Sequence, residues 1–134
     1  MNITFTTDKS KIDINAVADF LHTHSYWAKN RPVETIKKSI KNSHCVAAFI
    51  DDQQIGFARI VSDFTTMYYL GDIYIIPEHQ NKGFGHKLMS FIMEMEELQG
   101  LRGILTTRTA HKFYEEFGFS RDNDIVRTRI MISP

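Results

Sequence analysis

The segment from Gln80 to Lys87 carries the residue types best suited to holding a phosphate group. It contains Gly83 and Gly85 beside Lys82 and Lys87, at the point where strand-like periodicity gives way to helical periodicity. The start of a helix leaves backbone N–H groups unpaired and carries partial positive charge, and glycine lets an anion approach that backbone closely. The sequence therefore predicts a phosphate-binding turn that opens a helix.

Glycines at a strand-to-helix junction also occur in dinucleotide and nucleoside triphosphate sites. A dinucleotide fingerprint has a third small residue three positions after Gly85, where this chain has Leu88, and a P-loop needs Gly-Lys-Ser/Thr, which this sequence lacks. Both checks argue against those two ligand classes. A helix start that uses glycine only for tight packing is the structural alternative.

Hydrophobic periodicity predicts the elements that position this turn. Three strand-like runs at 44–50, 55–62 and 67–76, with a polar hairpin turn at 51–54, indicate an antiparallel meander before it. After it, apolar residues recur every three or four positions from Phe84 to Leu98. This spacing predicts an amphipathic helix that ends before Gly100 and packs its apolar stripe into the core.

The remaining sequence predicts elements on either side of this unit. They are a strand at 3–7, a helix capped by Asp13, a helix at 33–41, a strand at 101–107, a helix at 110–117 stopped by Gly118, and a strand at 125–132. The predicted order is β-α-α-β-β-β-α-β-α-β. With no repeat or linker, residues 1–134 are expected to form one domain.

Composition narrows the function classes. The chain has 134 residues, with 16 basic against 16 acidic side chains, which argues against a nucleic-acid binder. It has no long apolar run and no signal-like start, so we expect no membrane partner and a cytoplasmic location. Cys45 is the only cysteine, within an apolar strand-like run, and we expect it to be buried. No metal site is predicted.

Two motifs carry a resemblance to a known family. The first is Gln80-x-x-Gly83-x-Gly85, preceded by Ile75-x-Pro77-Glu78, and the second is Ala110-x-x-Phe113-Tyr114-Glu115-x-x-Gly118-Phe119. In this order they resemble the two signatures of the GNAT superfamily of N-acetyltransferases, and the similarity extends over essentially the whole chain. Residues 26–32 and 56–59 further resemble a group of small bacterial, single-domain members.

The resemblance implies a mixed α/β fold with a central, mostly antiparallel sheet of six to seven strands flanked by four helices. It also implies acetyl-CoA as co-substrate. The backbone N–H of Ile75 would hydrogen-bond the thioester carbonyl, and residues 73–75 would pair with the pantetheine arm. The implied acetyl-CoA site comprises Ile73, Ile75, Gln80, Asn81, Lys82, Gly83, Phe84, Gly85, His86, Lys87, Thr107 and Tyr114.

Tyr114 lies where many members of the family have a tyrosine that protonates the departing thiolate. A packing role for its ring is the alternative. Thr107 stands where the family often has an asparagine that contacts the cofactor arm. Tyr26, Trp27 and Arg31 lie in the loop that shapes the acceptor cleft in this fold.

A carboxylate at the cleft suits the general base, because a protonated amine must lose a proton before it attacks. Asp72 is the first candidate, and a structural pairing with Arg59 is the alternative role for it. Asp63 and Glu34 are further candidates for the base. Many members of the superfamily use only ordered water, so a single base need not exist.

The predicted function is transfer of acetyl from acetyl-CoA to the primary amine of a small molecule, such as an amino acid, a polyamine or a drug-like amine, by direct attack in a ternary complex. Two alternatives stay open: a protein N-terminus or lysine as acceptor, and a non-catalytic module that senses acetyl-CoA. Another acyl-CoA donor is also compatible with the motifs. The family resemblance implies a monomer or a homodimer.

Overall fold

A computed structural model describes residues 2–121, with a five-stranded mixed sheet and four α-helices in this part of the chain. The elements are β1 Ile3–Thr6, α1 Ile14–His24, α2 Val33–Lys41, β2 His44–Ile50, β3 Gln53–Ser62, β4 Met67–Ile75, α3 Phe84–Met93, β5 Arg102–Ile104 and α4 His111–Glu115. The predicted element order is confirmed as far as α4. The predicted final strand at 125–132 lies outside the described residues.

The strands follow one another in the sheet in the order β1-β2-β3-β4-β5. The first three pairings are antiparallel, as the meander pattern predicts, and β4 pairs with β5 in parallel. Five strands are seen in residues 2–121, where the family resemblance implies six to seven over the whole chain. Strand β5 and helix α4 are shorter than the sequence predicts.

The sheet separates two hydrophobic cores, because side chains of a strand alternate between its faces. On one face, Val46 and Ala48 pack with Leu88 and Ile92 of α3. On the other, Cys45 and Ala47 pack with α1 and α2. Cys45 is fully buried as predicted, and burial raises its pKa to about 11, so its thiol stays protonated.

Helix α1 begins as predicted, with the Asp13 side chain accepting a hydrogen bond from the N–H of Ala16 at 3.0 Å. The prediction that α3 extends to Leu98 is wrong: the helix ends at Met93, and a short 3-10 turn follows at Glu96–Leu98. Three glutamates, at positions 94, 96 and 97, would be repelled by the negative end of the helix dipole, which disfavours a longer helix. The Gln99 amide instead caps the carbonyl of Met93 at 2.7 Å.

The pairing of β3 with β4 contains a β-bulge that sets the position of Asp72. The register shifts between the pairs Phe57–Tyr74 and Arg59–Gly71, so β4 has an extra residue there. Asp72 lies in this bulge with φ of 51°, a conformation that is uncommon for a residue other than glycine. Bulges turn side chains out of the regular alternation, and here Leu70 packs into one core while Tyr74 packs into the other.

Candidate active site

A pocket opens where β4 and β5 separate. Within residues 2–121, β5 pairs with β4 only over Met67–Tyr69, so the rest of β4 has no strand beside it on that edge. A pocket of about 410 Å³ lies against this stretch, a size suited to a small ligand. The predicted site residues that line it are Tyr26, Trp27, Arg31, Asp72, Ile73, Thr107 and Tyr114.

The backbone of Ile75 faces the same edge. The N–H of Ile76 donates to the carbonyl of Ile55 in β3 at 2.8 Å, and successive residues of a strand point their polar groups to opposite edges. The carbonyl of Ile75 accordingly accepts from the Gln80 side chain at 2.8 Å, away from β3. The N–H of Ile75 therefore points to the edge where β5 has separated.

The glycine turn leads from β4 into α3, as predicted. Gly83 precedes the helix with φ of 83°, and a Cβ built on it would meet nothing within 4 Å. Lys87 N–H closes the first turn on the Gly83 carbonyl at 3.2 Å, so the three N–H groups before Lys87 have no intrahelical partner. Open space over unpaired donors fits a phosphate group.

The turn residues do not line the pocket, and their side chains differ in what they can offer. Gln80 ties the turn to β4 through Ile75, and the Phe84 ring is buried in the core. Phe84 can therefore contact a ligand only through its backbone. His86 lies beside Glu116, with Nε2 and Oε2 3.6 Å apart.

The carboxylate of Asp72 is buried in the pocket wall and holds three donors. Its Oδ2 accepts from Arg31 Nη1 at 2.8 Å and from Arg59 Nε at 2.9 Å, while Oδ1 accepts from Trp27 Nε1 at 2.7 Å. Burial by itself raises the pKa of Asp72, but the hydrogen bonds from Arg59 and Trp27 and the charges of both arginines outweigh it. The net pKa lies below its usual range, so Asp72 is a weak proton acceptor.

The loop between α1 and α2, which carries two of these donors, is fixed by hydrogen bonds between side chains and the backbone. Ser25 Oγ donates to the Leu21 carbonyl at 2.7 Å and accepts from the Ala28 N–H at 3.0 Å. His22 Nε2 lies 2.6 Å from the carbonyl oxygen of Arg31. Trp27 and Arg31 are thereby held in place for Asp72.

Tyr26 joins this loop to the segment between β5 and α4. Its hydroxyl accepts from the Arg108 backbone N–H at 3.1 Å, and the Arg108 guanidinium lies 4.3 Å from the ring centroid. This is a cation–π contact across one side of the pocket. The two segments that border the pocket are therefore held together.

Tyr114 reaches the pocket from α4. Its ring packs edge-on against Phe113 with centroids 5.0 Å apart, so the ring also contributes to packing. Burial raises the pKa of Tyr114 to about 12, and the nearby phenol of Tyr26 adds to this effect. The hydroxyl therefore stays protonated at physiological pH and can act as a proton donor.

The other predicted residues fall into two groups. Thr107 lines the pocket, and its hydroxyl accepts from the Ala110 N–H at 3.1 Å at the start of α4. Neither alternative base candidate lines the pocket: Asp63 accepts from the N–H groups of Thr65 and Thr66 in a turn, which hold its pKa well below the usual range, and Glu34 is exposed on α2.

Sequence reasoning did not assign a site role to Arg59, Tyr69 or Arg108. Arg59 and Tyr69 line the pocket, and Tyr69 places its hydroxyl 3.3 Å from Thr106 Oγ1. The sequence indicates Arg59 only as a partner of Asp72. Arg108 lies between the two family motifs and belongs to neither, so no motif could have indicated it.

Membrane-spanning helices and metal-binding clusters are both absent from residues 2–121. No helix there is long and apolar enough to span a bilayer. That part of the chain also contains no cluster of three or more His, Cys, Asp or Glu side chains placed to hold a metal ion.

A mixed sheet in which β4 and β5 separate, with a glycine turn after β4, is typical of acyl-CoA-dependent transferases. The family model described as acetyltransferase (GNAT) domain matches residues 41–121. A crystal structure from Xanthomonas campestris pv. campestris, of a protein assigned to the GNAT family, is 34% identical with a TM-score of 0.93, over 98% of this chain and 94% of that one.

Two relatives agree with this. A protein from Gibberella zeae, named as a candidate acetyltransferase, is 28% identical over 84% of this chain and 76% of its own length. A protein from Gracilaria tenuistipitata var. liui, named as an uncharacterized N-acetyltransferase, is 31% identical over 75% of this chain and 59% of its own length. The chain belongs to the GNAT family of N-acetyltransferases, which use acetyl-CoA as co-substrate.

Proposed function

We propose that this protein transfers the acetyl group of acetyl-CoA to the primary amine of a small molecule by direct attack within a ternary complex. The observation that carries this proposal is the separation of β4 from β5, which leaves a pocket beside the unpaired edge of β4, the strand that leads into the glycine turn. The Tyr26–Arg108 contact joins two segments at the border of that pocket, which favours a small acceptor over a protein, because a protein would need an open cleft.

The residues that bind acetyl-CoA in this proposal are those of the glycine turn and of β4. Backbone N–H groups of residues 81–86 hold the pyrophosphate, and Lys82 and Lys87 add positive charge. Ile73 and Ile75 offer their backbone to the pantetheine arm as a neighbouring strand would. Thr107, which lines the pocket after β5, contacts the arm in this proposal.

In the proposed reaction the amine nitrogen attacks the thioester carbonyl carbon. The N–H of Ile75 stabilises the oxyanion that forms there, as a fixed dipole that needs no reorganisation. The C–N bond forms and the C–S bond breaks, and Tyr114 gives its phenolic proton to the departing thiolate and recovers one from solvent. The proton lost by the amine passes to water.

The surroundings of Asp72 support a positioning role better than that of general base. Its three donors stabilise the ionised form, and accepting a proton would weaken the hydrogen bonds to Arg31, Arg59 and Trp27. In this proposal Asp72 fixes those side chains in the pocket wall. Tyr26, Trp27 and Arg31 contact the acceptor.

Calorimetric titration of the purified chain with acetyl-CoA, and separately with NAD and ATP, tests the cofactor part of the proposal. We expect acetyl-CoA alone to bind tightly. Gly83→Glu should abolish binding, because its carboxylate would enter the open space over the unpaired N–H groups and repel the pyrophosphate.

Gly100→Glu is the matched control, since Gly100 also has positive φ and nothing within 4 Å of an added Cβ, and it lies outside the turn. It should bind acetyl-CoA as the native chain does. Failure of the native chain to bind acetyl-CoA would overturn the proposed function, and equal loss in both variants would remove the turn from the binding site.

A further inference from the structure

The acceptor pocket has an excess of positive charge. Of the described residues that line it, Arg31 and Arg59 are cationic and Asp72 is the single acidic one. The guanidinium of Arg108 lies at the rim, over the Tyr26 ring. One carboxylate therefore faces two guanidinium groups in the wall and a third at the edge.

Both arginines retain hydrogen-bonding capacity toward the pocket. Each donates to the same oxygen of Asp72, Arg31 through Nη1 and Arg59 through Nε, and Arg59 Nη1 also lies 3.4 Å from Ser43 Oγ. A guanidinium has five N–H donors, so among residues 2–121 most donors of Arg31 have no protein acceptor. The side chains of Arg31 and Arg59 keep 23% and 16% of their surface exposed.

The carboxylate of Asp72 fixes the two guanidinium groups but accepts from only one nitrogen of each. Its position in the β4 bulge and the hydrogen bond from Trp27 hold it in one orientation. Orienting the arginines in advance reduces the entropy cost of binding an anion, and a planar guanidinium matches a carboxylate or phosphate by paired hydrogen bonds.

We propose that Arg31 and Arg59 form an anion subsite, and that the acceptor of this enzyme is a primary amine that also carries a carboxylate or phosphate group. This inference rests on the proposed function. A cationic wall alone repels a protonated amine, which favours the neutral amine that attacks. The anionic group on the same molecule supplies the attraction and fixes the distance between the amine and the pocket wall.

Initial rates of CoA release with paired acceptors test this subsite. One arm pairs each of a panel of amino acids with its carboxamide, which removes the negative charge and keeps the size. The other arm pairs phosphoethanolamine with ethanolamine, so the two arms separate carboxylate from phosphate recognition. We expect at least one anionic acceptor of the panel to have a kcat/KM about tenfold or more above that of its neutral partner.

Arg31→Gln should remove that preference mainly by raising KM, and Arg31→Lys should restore only part of it, because lysine keeps the charge and loses the planar fork. Lys38→Gln is the matched control: it removes the same charge from the exposed face of α2 and should keep the preference. Thermal denaturation and acetyl-CoA titration of each variant separate misfolding from a local effect.

Several results would overturn the anion subsite while the proposed function stands. These are acetyl-CoA binding with equal or better turnover of the neutral partners, acceptance of no anionic amine in either arm, or an anionic preference that survives in folded Arg31→Gln. Absence of acetyl-CoA binding by the native chain would instead overturn the proposed function itself.

Discussion

At the scale of single residues, the proposed chemistry depends most on the hydroxyl of Tyr114. A pKa of about 12 keeps the phenol protonated throughout ordinary assay conditions, so the proton is present when the thiolate leaves. A typical thiol has a pKa near 8.5, which makes the transfer to a free thiolate uphill at equilibrium. Tyr114 therefore acts best while the C–S bond is breaking and charge is still developing on sulfur.

Tyr114→Phe should lower kcat by about a hundredfold or more, because general acid catalysis contributes about that much, and should leave acetyl-CoA affinity nearly unchanged. Steady-state rates and calorimetric titration measure the two effects. Tyr68→Phe is the control, since Tyr68 is buried and its hydroxyl lies 4.0 Å from the sulfur of Met93, outside the pocket lining. An unchanged kcat in Tyr114→Phe would leave Tyr114 with a packing role only.

At the scale of elements, Asp72 connects three parts of the chain. Trp27 and Arg31 come from the loop between α1 and α2, Arg59 comes from β3, and Asp72 itself lies in the bulge of β4. A buried carboxylate with three donors adds little to stability compared with a well-packed apolar group. Removing one partner from such a network is nevertheless costly, because it leaves buried charges uncompensated. The bulge of β4 is thus linked to the loop between α1 and α2 and to β3 through one side chain.

Asp72→Asn should destabilise the fold at pH 7 by about 2–3 kcal/mol, since it leaves two arginines without their counter-charge but still partly hydrated. Chemical denaturation of both proteins across pH measures this. The folded-state pKa of Asp72 is depressed, so its contribution is present above the unfolded value of about 3.9 and is lost as pH falls through the folded value.

The stability difference between native chain and Asp72→Asn should therefore shrink in acid below about pH 4. Asp19→Asn, an exposed carboxylate on α1, should change stability little at either pH. A difference that stays constant from neutral pH into acid would argue that the aspartate contributes through shape and not through its charge.

Local pattern predicted most elements well. The bounds of α2 and β2 agree with the sequence-based ones, because clear helical and alternating periods decide them. Helix α3 was predicted too long, since Met95 and Leu98 continue the apolar spacing although the chain has left the helix. Burial of those two residues in the same core explains why the spacing misled.

At the scale of the whole molecule, the sheet divides the protein into two cores. Helix α3 covers one face, where it packs on residues of β2, β3 and β4. Helices α1 and α2 cover the other face. The proposed acetyl-CoA site lies at the edge of β4, where the sheet opens. Binding there would connect the glycine turn, β4 and α4 in one complex.

Acetyl-CoA at about a hundred times its dissociation constant should raise Tm by about 10 °C, because mass action contributes about 2.7 kcal/mol and each 1 kcal/mol moves Tm of a domain this size by about 4 °C. Thermal denaturation with and without ligand measures the shift. Gly100→Glu should keep it and Gly83→Glu should lose it. A shift of equal size with NAD would contradict selectivity for acetyl-CoA.

The sequence by itself determined the features that depend on neighbouring residues. The glycine turn, the cap at Asp13 and the meander follow from local backbone preferences and short periods. The resemblance of two motifs to a known family then implied the family and placed Tyr114 and the residues of the β4 edge among the candidates. It also placed Tyr26, Trp27 and Arg31 in one loop.

Only the tertiary structure decided how distant residues combine. Asp72 meets Trp27 and Arg31 from 45 and 41 positions away, and Tyr26 meets Arg108 across 82 positions. Such contacts depend on how the bulge, the loop and the sheet edge pack together, which no short spacing encodes. Packing thus made Asp72 an acceptor for two arginines and Trp27, whereas the sequence left open whether Asp72 is the base or a structural partner of Arg59.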